Sequence, residues 1–177
     1  MRAIVIYESM YGNTHLVADA IARGLGAGGS TVQVLPVAEA TVAALDQADL
    51  VVVGAPTHAH GLSRPATRRS AADAAGKDGS DVHLDGHAAD TGVREWLEAL
   101  DGLHLPAVTF DTRMPGPPML TGSASRLIAK RLSRHGFRIV ATPESFLVDR
   151  HNHLRSGEEE RAAAWGGRLA TLVSGGV

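Results

Sequence analysis

Cysteine is absent from this sequence of 177 residues. Disulfide bonds, metal sites built on thiolates and a thiol nucleophile are therefore excluded. Aromatic residues are scarce, at 4% of the chain, whereas hydrophobic residues as a whole make up 44%. The sequence can therefore build a sizeable core, but mainly from Val, Leu, Ile and Ala.

A strong charge of either sign and long apolar runs are also missing. The formal net charge is −2, and this near-neutral balance argues against a nucleic-acid partner. No apolar run approaches the roughly 20 residues that a membrane span requires. Met1 leads directly into a predicted strand, without the charged and apolar regions of a signal peptide. We therefore expect a cytoplasmic protein with no membrane span and one domain over residues 1–177.

The most informative segment is the turn Ser-Met-Tyr-Gly-Asn-Thr at residues 9–14, between a predicted strand and a predicted helix. The preceding residues 3–6, Ala-Ile-Val-Ile, are typical of a strand buried on both faces. The residues after the turn show the apolar stripe of a helix, which we expect to end near Gly24. Such a turn leaves backbone N–H groups unpaired at the positive end of a helix dipole, which predicts an anion site.

The side chains of this turn favour a phosphate group as the anion. Ser9 and Thr14 supply hydroxyls, and Asn13 supplies an amide. Gly12 lets the backbone pass close to a ligand. The lysine of a P-loop and the spacing G-x-G-x-x-G are both missing, so the turn suits one terminal phosphate rather than a triphosphate or a pyrophosphate. The alternative interpretation is that Asn13 or Thr14 only caps the helix while Gly12 makes the turn.

This turn resembles the phosphate loop of flavodoxin-like proteins, which holds the ribityl phosphate of FMN. The matching residues are Ser9, Met10, Tyr11, Gly12, Asn13 and Thr14. Many flavodoxins have a second hydroxyl where this chain has Tyr11, so only the backbone N–H of Tyr11 is carried over. The resemblance implies that FMN is the cofactor, bound without a covalent link, and that the chain transfers electrons.

Strand and helix patterns alternate along the chain, which is typical of an α/β protein with a parallel sheet. Strands are predicted at residues 3–6, 31–35, 50–54, 107–110 and 137–140, with 145–148 as an extension beyond Pro143. Further helices are predicted at residues 41–45, 123–135 and 157–173. The resemblance implies a flavodoxin-like, three-layer αβα domain with a five-stranded parallel sheet of order 2-1-3-4-5. Its ligand crevice is expected at the carboxyl ends of strands one and three.

Two loops that follow strands three and four are expected to complete the site at this edge of the sheet. The first is residues 54–62, whose start, Gly-x-Pro-Thr, resembles the loop that flanks the isoalloxazine ring in flavodoxin relatives. Its candidate cofactor-binding residues are Pro56, Thr57, His58, Ala59, His60 and Gly61. The second is residues 111–121, and its candidates are Asp111, Thr112 and Arg113.

The second loop contains no Trp or Tyr, whereas conventional flavodoxins often stack the flavin ring between aromatic residues. We expect the ring to rest on softer side chains instead, namely His58, Leu62, Met114 or Met119. Asp111 and Arg113 are predicted to contact the pyrimidine edge of the ring or to pair with each other. The sequence leaves both alternatives open.

Residues 66–92 are predicted to be a mobile loop or an insertion after a helix-compatible start. Residues 81–90 alternate Asp and His, as in a divalent-metal cluster. Loops rich in Gly, Asp and Ser are more often solvated, and we expect no metal there. Arg126, Lys130 and Arg134 form a basic stripe on a predicted helix, for which we expect a solvated face rather than a docking surface.

No Ser-His-Asp, Cys-His or paired-carboxylate arrangement is recognisable, so we predict no catalytic side chain. Three functions remain, and the first is an FMN-binding redox protein that passes electrons to a redox partner protein. The second is an FMN-dependent NAD(P)H:quinone-type oxidoreductase, which acts on a small quinone or nicotinamide. The third is a flavodoxin-fold domain that has lost FMN and binds a partner. Carrier flavodoxins are markedly acidic, and the net charge of −2 favours the second function slightly over a simple carrier.

Overall fold

All strands of this computed structural model are parallel and form one sheet, and the described residues are 1–58, 61–76, 83–100 and 102–175. The strands are β1 (Arg2–Tyr7), β2 (Thr31–Pro36), β3 (Leu50–Pro56), β4 (Pro106–Arg113), β5 (Arg138–Ile139) and β6 (Glu144–Leu147). Their order is β2-β1-β3-β4-β5, with β6 also paired to β4. The predicted strand order is therefore confirmed.

The edge of the sheet next to β4 is shared by two short strands rather than formed by one. β5 pairs with Pro106 and Ala107 at the start of β4, whereas β6 pairs with residues 110–113 at its end. Pro143 lies between the two short strands and has no N–H to donate to a ladder. The prediction of five strands is therefore corrected to six, and the predicted extension beyond the proline is a strand of its own.

Helices cover both faces of the sheet. They are α1 (Asn13–Ala27), α2 (Val42–Leu45), α3 (Pro65–Ala75), α4 (Val93–Glu98), α5 (Pro118–Thr121), α6 (Ala124–Arg134) and α7 (Glu158–Ser174), with a 3-10 turn at Val37–Glu39. Ile6 packs in one buried cluster with Ile128 of α6, whereas Val5 packs in another with Val17 of α1 and Trp165 of α7. Because successive strand residues face opposite sides, these clusters are the two interfaces of the predicted three-layer fold. None of the described helices is long and apolar enough to cross a membrane.

The contact between α1 and α7 depends on glycine. A Cβ atom on Gly24 would lie 1.9 Å from the carbonyl oxygen of Ala163, and one on Gly166 would lie 2.2 Å from that of Ile21. The two helix backbones therefore approach each other more closely than any side chain allows. α1 does not end near Gly24, as predicted, but continues to Ala27. Gly24 serves the packing of α1 against α7 rather than the termination of the helix.

The segment 66–92 begins in a helix. α3 covers its first part, in agreement with the predicted helix-compatible start. Residues 77–82 lie outside the described residues, and residues 83–92 contain one turn and no helix or strand. The N–H of Asp85 donates to the carbonyl oxygen of Met10 at 2.9 Å, which anchors this last part to the loop after β1. The short helices α4 and α5 were not predicted.

The glycine contact gives a testable prediction. We expect Gly24→Ala to lower the free energy of unfolding by about 1–3 kcal/mol, because the added methyl group forces two packed helices apart. Gly26→Ala is the matched control, since a Cβ at this exposed position of the same helix meets nothing within 4 Å. That control is expected to raise stability by about 0.4–1 kcal/mol. Urea unfolding measures both, and equal midpoints for wild type and Gly24→Ala would contradict the packing argument.

Candidate cofactor site

Three loops meet at the carboxyl edge of the sheet and surround a cavity of about 270 Å³. The loops follow β1, β3 and β4, as the sequence predicts. The predicted residues that line the cavity are Ser9, Met10, Tyr11, Asn13, Thr14, Pro56, Thr57, His58, Thr112 and Arg113. The cavity is also lined by Ala71, Val148 and Asn152, which the sequence analysis did not predict.

The first loop leaves the start of α1 without a cap. Gly12 adopts a left-handed φ of +84°, and its N–H donates to Ser9 Oγ at 3.1 Å. α1 begins at Asn13 with no side-chain cap, so the alternative that Asn13 or Thr14 caps the helix is wrong. Within the described residues, the N–H groups of Asn13, Thr14 and His15 donate to no backbone carbonyl. A helix start with unpaired N–H groups is an arrangement that binds phosphate.

Two threonine hydroxyls connect the start of α1 to the end of β4. Thr14 Oγ1 and Thr112 Oγ1 lie 2.8 Å apart, and both side chains are buried. One proton serves this contact, so the second hydroxyl proton of the pair remains available to a ligand in the cavity. Thr14 and Ser9 therefore place two hydroxyls beside the open helix start.

A loop after β6 closes the site on one side. The Asp149 carboxylate accepts hydrogen bonds from the N–H groups of His151 at 2.8 Å and His153 at 2.9 Å, and the second of these lowers the pKa of Asp149 most. Asn152 takes a left-handed φ of 59°, and its carbonyl oxygen accepts from Asn13 Nδ2 at 2.6 Å. An Asp that begins a tight turn was the available signal in the sequence.

The side chain of Tyr11 contacts α3 and has no part in the predicted phosphate site. Its hydroxyl donates to the carbonyl oxygen of Ala71 in α3 at 3.2 Å. Burial raises the pKa of this phenol, so it stays protonated and keeps donating at neutral pH. The side chain therefore ties α3 to the first loop, and the N–H of Tyr11 is the part of the residue left for a ligand.

The loop after β3 begins as a continuation of the sheet. The N–H of Thr57 donates to the carbonyl oxygen of Thr112 at 2.9 Å, and its hydroxyl accepts from the N–H of Ala124 at the start of α6, also at 2.9 Å. His58 and Gly61 exchange two backbone hydrogen bonds of 2.8 Å each. The predicted residues Ala59 and His60 lie outside the described residues, and Gly61 lines a second cavity instead.

His58 carries a polar atom that no described residue satisfies. Its Nε2 is buried and has no hydrogen-bond partner in the described part of the chain. Burial lowers the pKa of this imidazole, and the opposing effect of the Glu8 carboxylate is smaller. His58 is therefore neutral at pH 7. It lines the cavity, and its Nε2 is a buried hydrogen-bonding group without a described partner.

Asp111 lies behind the cavity rather than in its wall. The side chain is fully buried, and its Oδ2 accepts from Ser123 Oγ at 2.9 Å, from the Ser125 N–H at 2.9 Å and from Ser125 Oγ at 3.1 Å. These donors belong to the start of α6, whose dipole favours a carboxylate. Asp111 therefore supports α6 and makes no described contact with Arg113.

Arg113 organises the loop that follows β4. Its Nη1 donates to the carbonyl oxygen of Gly116 and to Thr121 Oγ1, both at 2.8 Å, whereas its buried Nε has no partner among the described residues. Met114 lines the cavity as expected. Met119 is 94% exposed, and Leu62 is buried away from this cavity, so neither supports the expected ring position.

The other predicted features lie outside the cavity. His15 contacts Asp85 at 3.1 Å and His87 contacts Asp90 at 2.9 Å. In the described ranges, no group of three or more His, Asp or Glu side chains is arranged to hold a metal. The basic stripe on α6, Arg126, Lys130 and Arg134, is exposed.

The family model for flavodoxin matches residues 5–165 of the chain. This chain belongs to the flavodoxin family. Flavodoxins bind FMN and transfer electrons to redox partners, so FMN is the cofactor of this flavodoxin-like protein. No curated protein sequence matches the chain.

Solved flavodoxin structures share the fold at low sequence identity. A flavodoxin from the domain Archaea is 18% identical, with a TM-score of 0.66 and coverage of 98% of this chain and 99% of that one. Flavodoxin 1 from Bacillus cereus is 17% identical, with a TM-score of 0.63 and coverage of 100% and 99%. A flavodoxin, WrbA-like protein from Agrobacterium tumefaciens is 21% identical, with a TM-score of 0.60 and coverage of 98% of each chain.

Proposed function

We propose that FMN binds with its phosphate at the start of α1 and its ring against His58. The observation that carries this proposal is a single cavity that connects the uncapped first turn of α1 with the buried Nε2 of His58. An uncapped helix start suits an anion, and an unsatisfied imidazole nitrogen suits a polar ring edge. FMN has both groups, with the phosphate at one end of the molecule and the ring at the other.

The chain would hold the phosphate with neutral donors. Ser9 and Thr14 supply hydroxyls, and the first turn of α1 supplies N–H groups and the positive end of its dipole. Asn13 is engaged with the loop after β6, so it would position that loop over the phosphate rather than bind it. Such a site selects a terminal phosphate by geometry instead of by a lysine or arginine.

The residues around the flavin ring would orient it by hydrogen bonds and contact it with an adaptable, non-aromatic side chain. When bound, FMN supplies one- or two-electron redox chemistry. Arg113 offers its buried Nε–H to a ring carbonyl, and His58 offers Nε2. Met114 supplies an adaptable apolar contact. Tyr11 is the one Tyr, Trp or Phe that lines the described cavity, and its hydroxyl is bound to α3.

The second candidate function, an FMN-dependent oxidoreductase for a small quinone or a nicotinamide, is favoured by this ring environment. A stacked electron-rich aromatic ring disfavours the negative charge of the fully reduced flavin, and the described cavity walls supply no such stack beyond Tyr11. The near-neutral charge of −2 also provides little field for docking a basic electron-transfer partner. We therefore propose two-electron exchange with a small molecule, within the electron-transfer role of the family.

The position of the phosphate is tested by a double variant. We expect Ser9→Ala with Thr14→Ala to weaken FMN binding about 100-fold, because a hydrogen bond to a charged group is worth about 1.5–3 kcal/mol. Riboflavin, which lacks the phosphate, is expected to bind the wild type and this variant equally. Fluorescence titration measures both ligands.

A matched control removes two hydroxyls elsewhere. Ser133→Ala with Thr171→Ala changes exposed positions on α6 and α7, and it is expected to leave FMN affinity unchanged. Unchanged FMN affinity in the Ser9 and Thr14 variant would place the phosphate elsewhere and overturn the proposal.

Two-electron exchange is tested by potentiometric titration of the FMN-loaded protein. We expect the two one-electron potentials to nearly coincide at pH 8, where the His58 imidazole is neutral. Two widely separated potentials would indicate a single-electron carrier and contradict the proposal of two-electron exchange.

His58→Gln serves as the comparison for the same titration. Because burial lowers the pKa of His58, wild type and variant are expected to have equal midpoint potentials at pH 8. At acidic pH, below this lowered pKa, the wild-type imidazole gains a proton, and its positive charge favours the reduced flavin. The wild-type potential should then lie above that of the variant, and a pH-independent difference would contradict this role of His58.

A further inference from the structure

A second cavity, of about 440 Å³, shares His58 with the cofactor cavity. Its lining consists of His58, Gly61, Leu62 and Arg64 after β3, Thr67 of α3, Arg94 of α4 and Leu127 of α6. It has no residue of the phosphate loop in its wall. The cavity therefore lies beside the proposed ring position and opposite the phosphate end.

Arg94 is held in place at the wall of this cavity. Its Nε donates to the carbonyl oxygen of Ser63 and its Nη2 to that of Leu62, both at 2.8 Å. Nη1 has no acceptor among the described residues. Two backbone contacts thus orient the guanidinium before any ligand arrives, which reduces the entropy lost on binding.

The two arginines of this cavity form no ion pair with the described residues. Among those residues, neither Arg64 nor Arg94 has a carboxylate within 4.0 Å. The two acidic residues of α4 pair with other arginines, Glu95 with Arg68 at 3.1 Å and Glu98 with Arg131 at 3.6 Å. Burial lowers the pKa of Arg94 most, and the positive charges of Arg131 and Arg64 lower it further, whereas the carboxylates of Glu98 and Glu95 have a smaller, opposite effect. An anion in the cavity would offset this repulsion.

The remaining wall combines a helix start with apolar side chains. α3 begins at Pro65, and the N–H of Arg64 donates to Thr67 Oγ1 at 2.8 Å, so the positive end of the α3 dipole faces the same region as the two arginines. Leu62 and Leu127 form the apolar part. The cavity therefore suits a ligand that has an anionic group and an apolar body.

We propose that this second cavity is a binding site for small aromatic anions, such as aromatic carboxylates and sulfonates. Arg64 and Arg94 hold the charged group, and the ring packs on Leu127 towards His58. That the ligand then lies beside the flavin rests on the proposed position of FMN. The binding itself depends only on residues of the second cavity.

Calorimetric titration with 2-naphthoate tests the site on the protein without FMN. We expect saturable binding with one site per chain, and we expect the neutral 2-naphthamide to bind at least about tenfold more weakly. Arg64→Gln should weaken naphthoate about tenfold and leave naphthamide unchanged. Arg64 is exposed, so this variant keeps the fold, and Arg64→Lys should restore part of the affinity.

Arg134→Gln is the matched control, because it removes one exposed arginine that does not line this cavity. No saturable naphthoate binding, equal binding of naphthamide, or an equal loss in Arg134→Gln would overturn the proposal. Repeating the titration with bound FMN separates the two proposals. Naphthoate binding with no FMN binding would overturn the proposed cofactor position alone, and FMN binding without naphthoate binding would overturn the second site alone.

Discussion

Helix starts that need an acceptor govern the chemistry at the carboxyl edge of this sheet. The unpaired N–H groups of a helix start carry a partial positive charge, and a buried start requires a partner for them. Asp111 accepts from the start of α6, where the Ser125 N–H lies 2.9 Å away. Glu8 does the same for α4, where the N–H of Val93 lies 2.7 Å from Oε2. The protein thus supplies its own buried carboxylate to each of these two helices.

α1 begins at the same edge and receives no such carboxylate from the residues that the structure describes. It has no acidic residue in its first turn and no side-chain cap, and Gly12 in the left-handed conformation turns the chain directly from the buried strand into the helix. We propose that a ligand supplies the anion for this helix start. The cofactor phosphate of the flavodoxin family is an anion of the required kind, and the hydroxyls of Ser9 and Thr14 line the cavity at that point.

Local signals in the sequence predicted the features that depend on local chemistry. The turn at residues 9–14, the order of the strands and the break at Pro143 follow from residue types, periodicity and a family resemblance. Features that depend on tertiary contacts were missed. Asn152 reaches the site only because β6 returns the chain to β4, and Gly24 continues a helix because α7 packs against it. Asp111 was predicted to lie in the site because it follows the predicted strand 107–110, whereas its hydrogen bonds turn it towards α6.

The second cavity also lies at a helix start whose positive charge has no carboxylate partner among the described residues. α3 also begins without an acidic residue in its first turn, and two arginines beside its start have no carboxylate partner in the described part of the chain. The two cavities meet at His58, a neutral buried imidazole. The two proposals together place the flavin ring on one side of His58 and an aromatic anion on the other, next to an Nε2 atom that has no partner among the described residues.

The central claim is that the start of α1 takes the phosphate as its anion, and ³¹P NMR of the FMN-loaded protein tests it most directly. Free phosphate monoesters take up a proton with a pKa of about 6, so the ³¹P shift of free FMN moves between pH 5 and pH 7. A phosphate that accepts hydrogen bonds from N–H and hydroxyl groups stays dianionic. The bound signal should therefore keep a constant shift over this range. A bound signal that titrates like free FMN would show a phosphate in solvent and contradict the account.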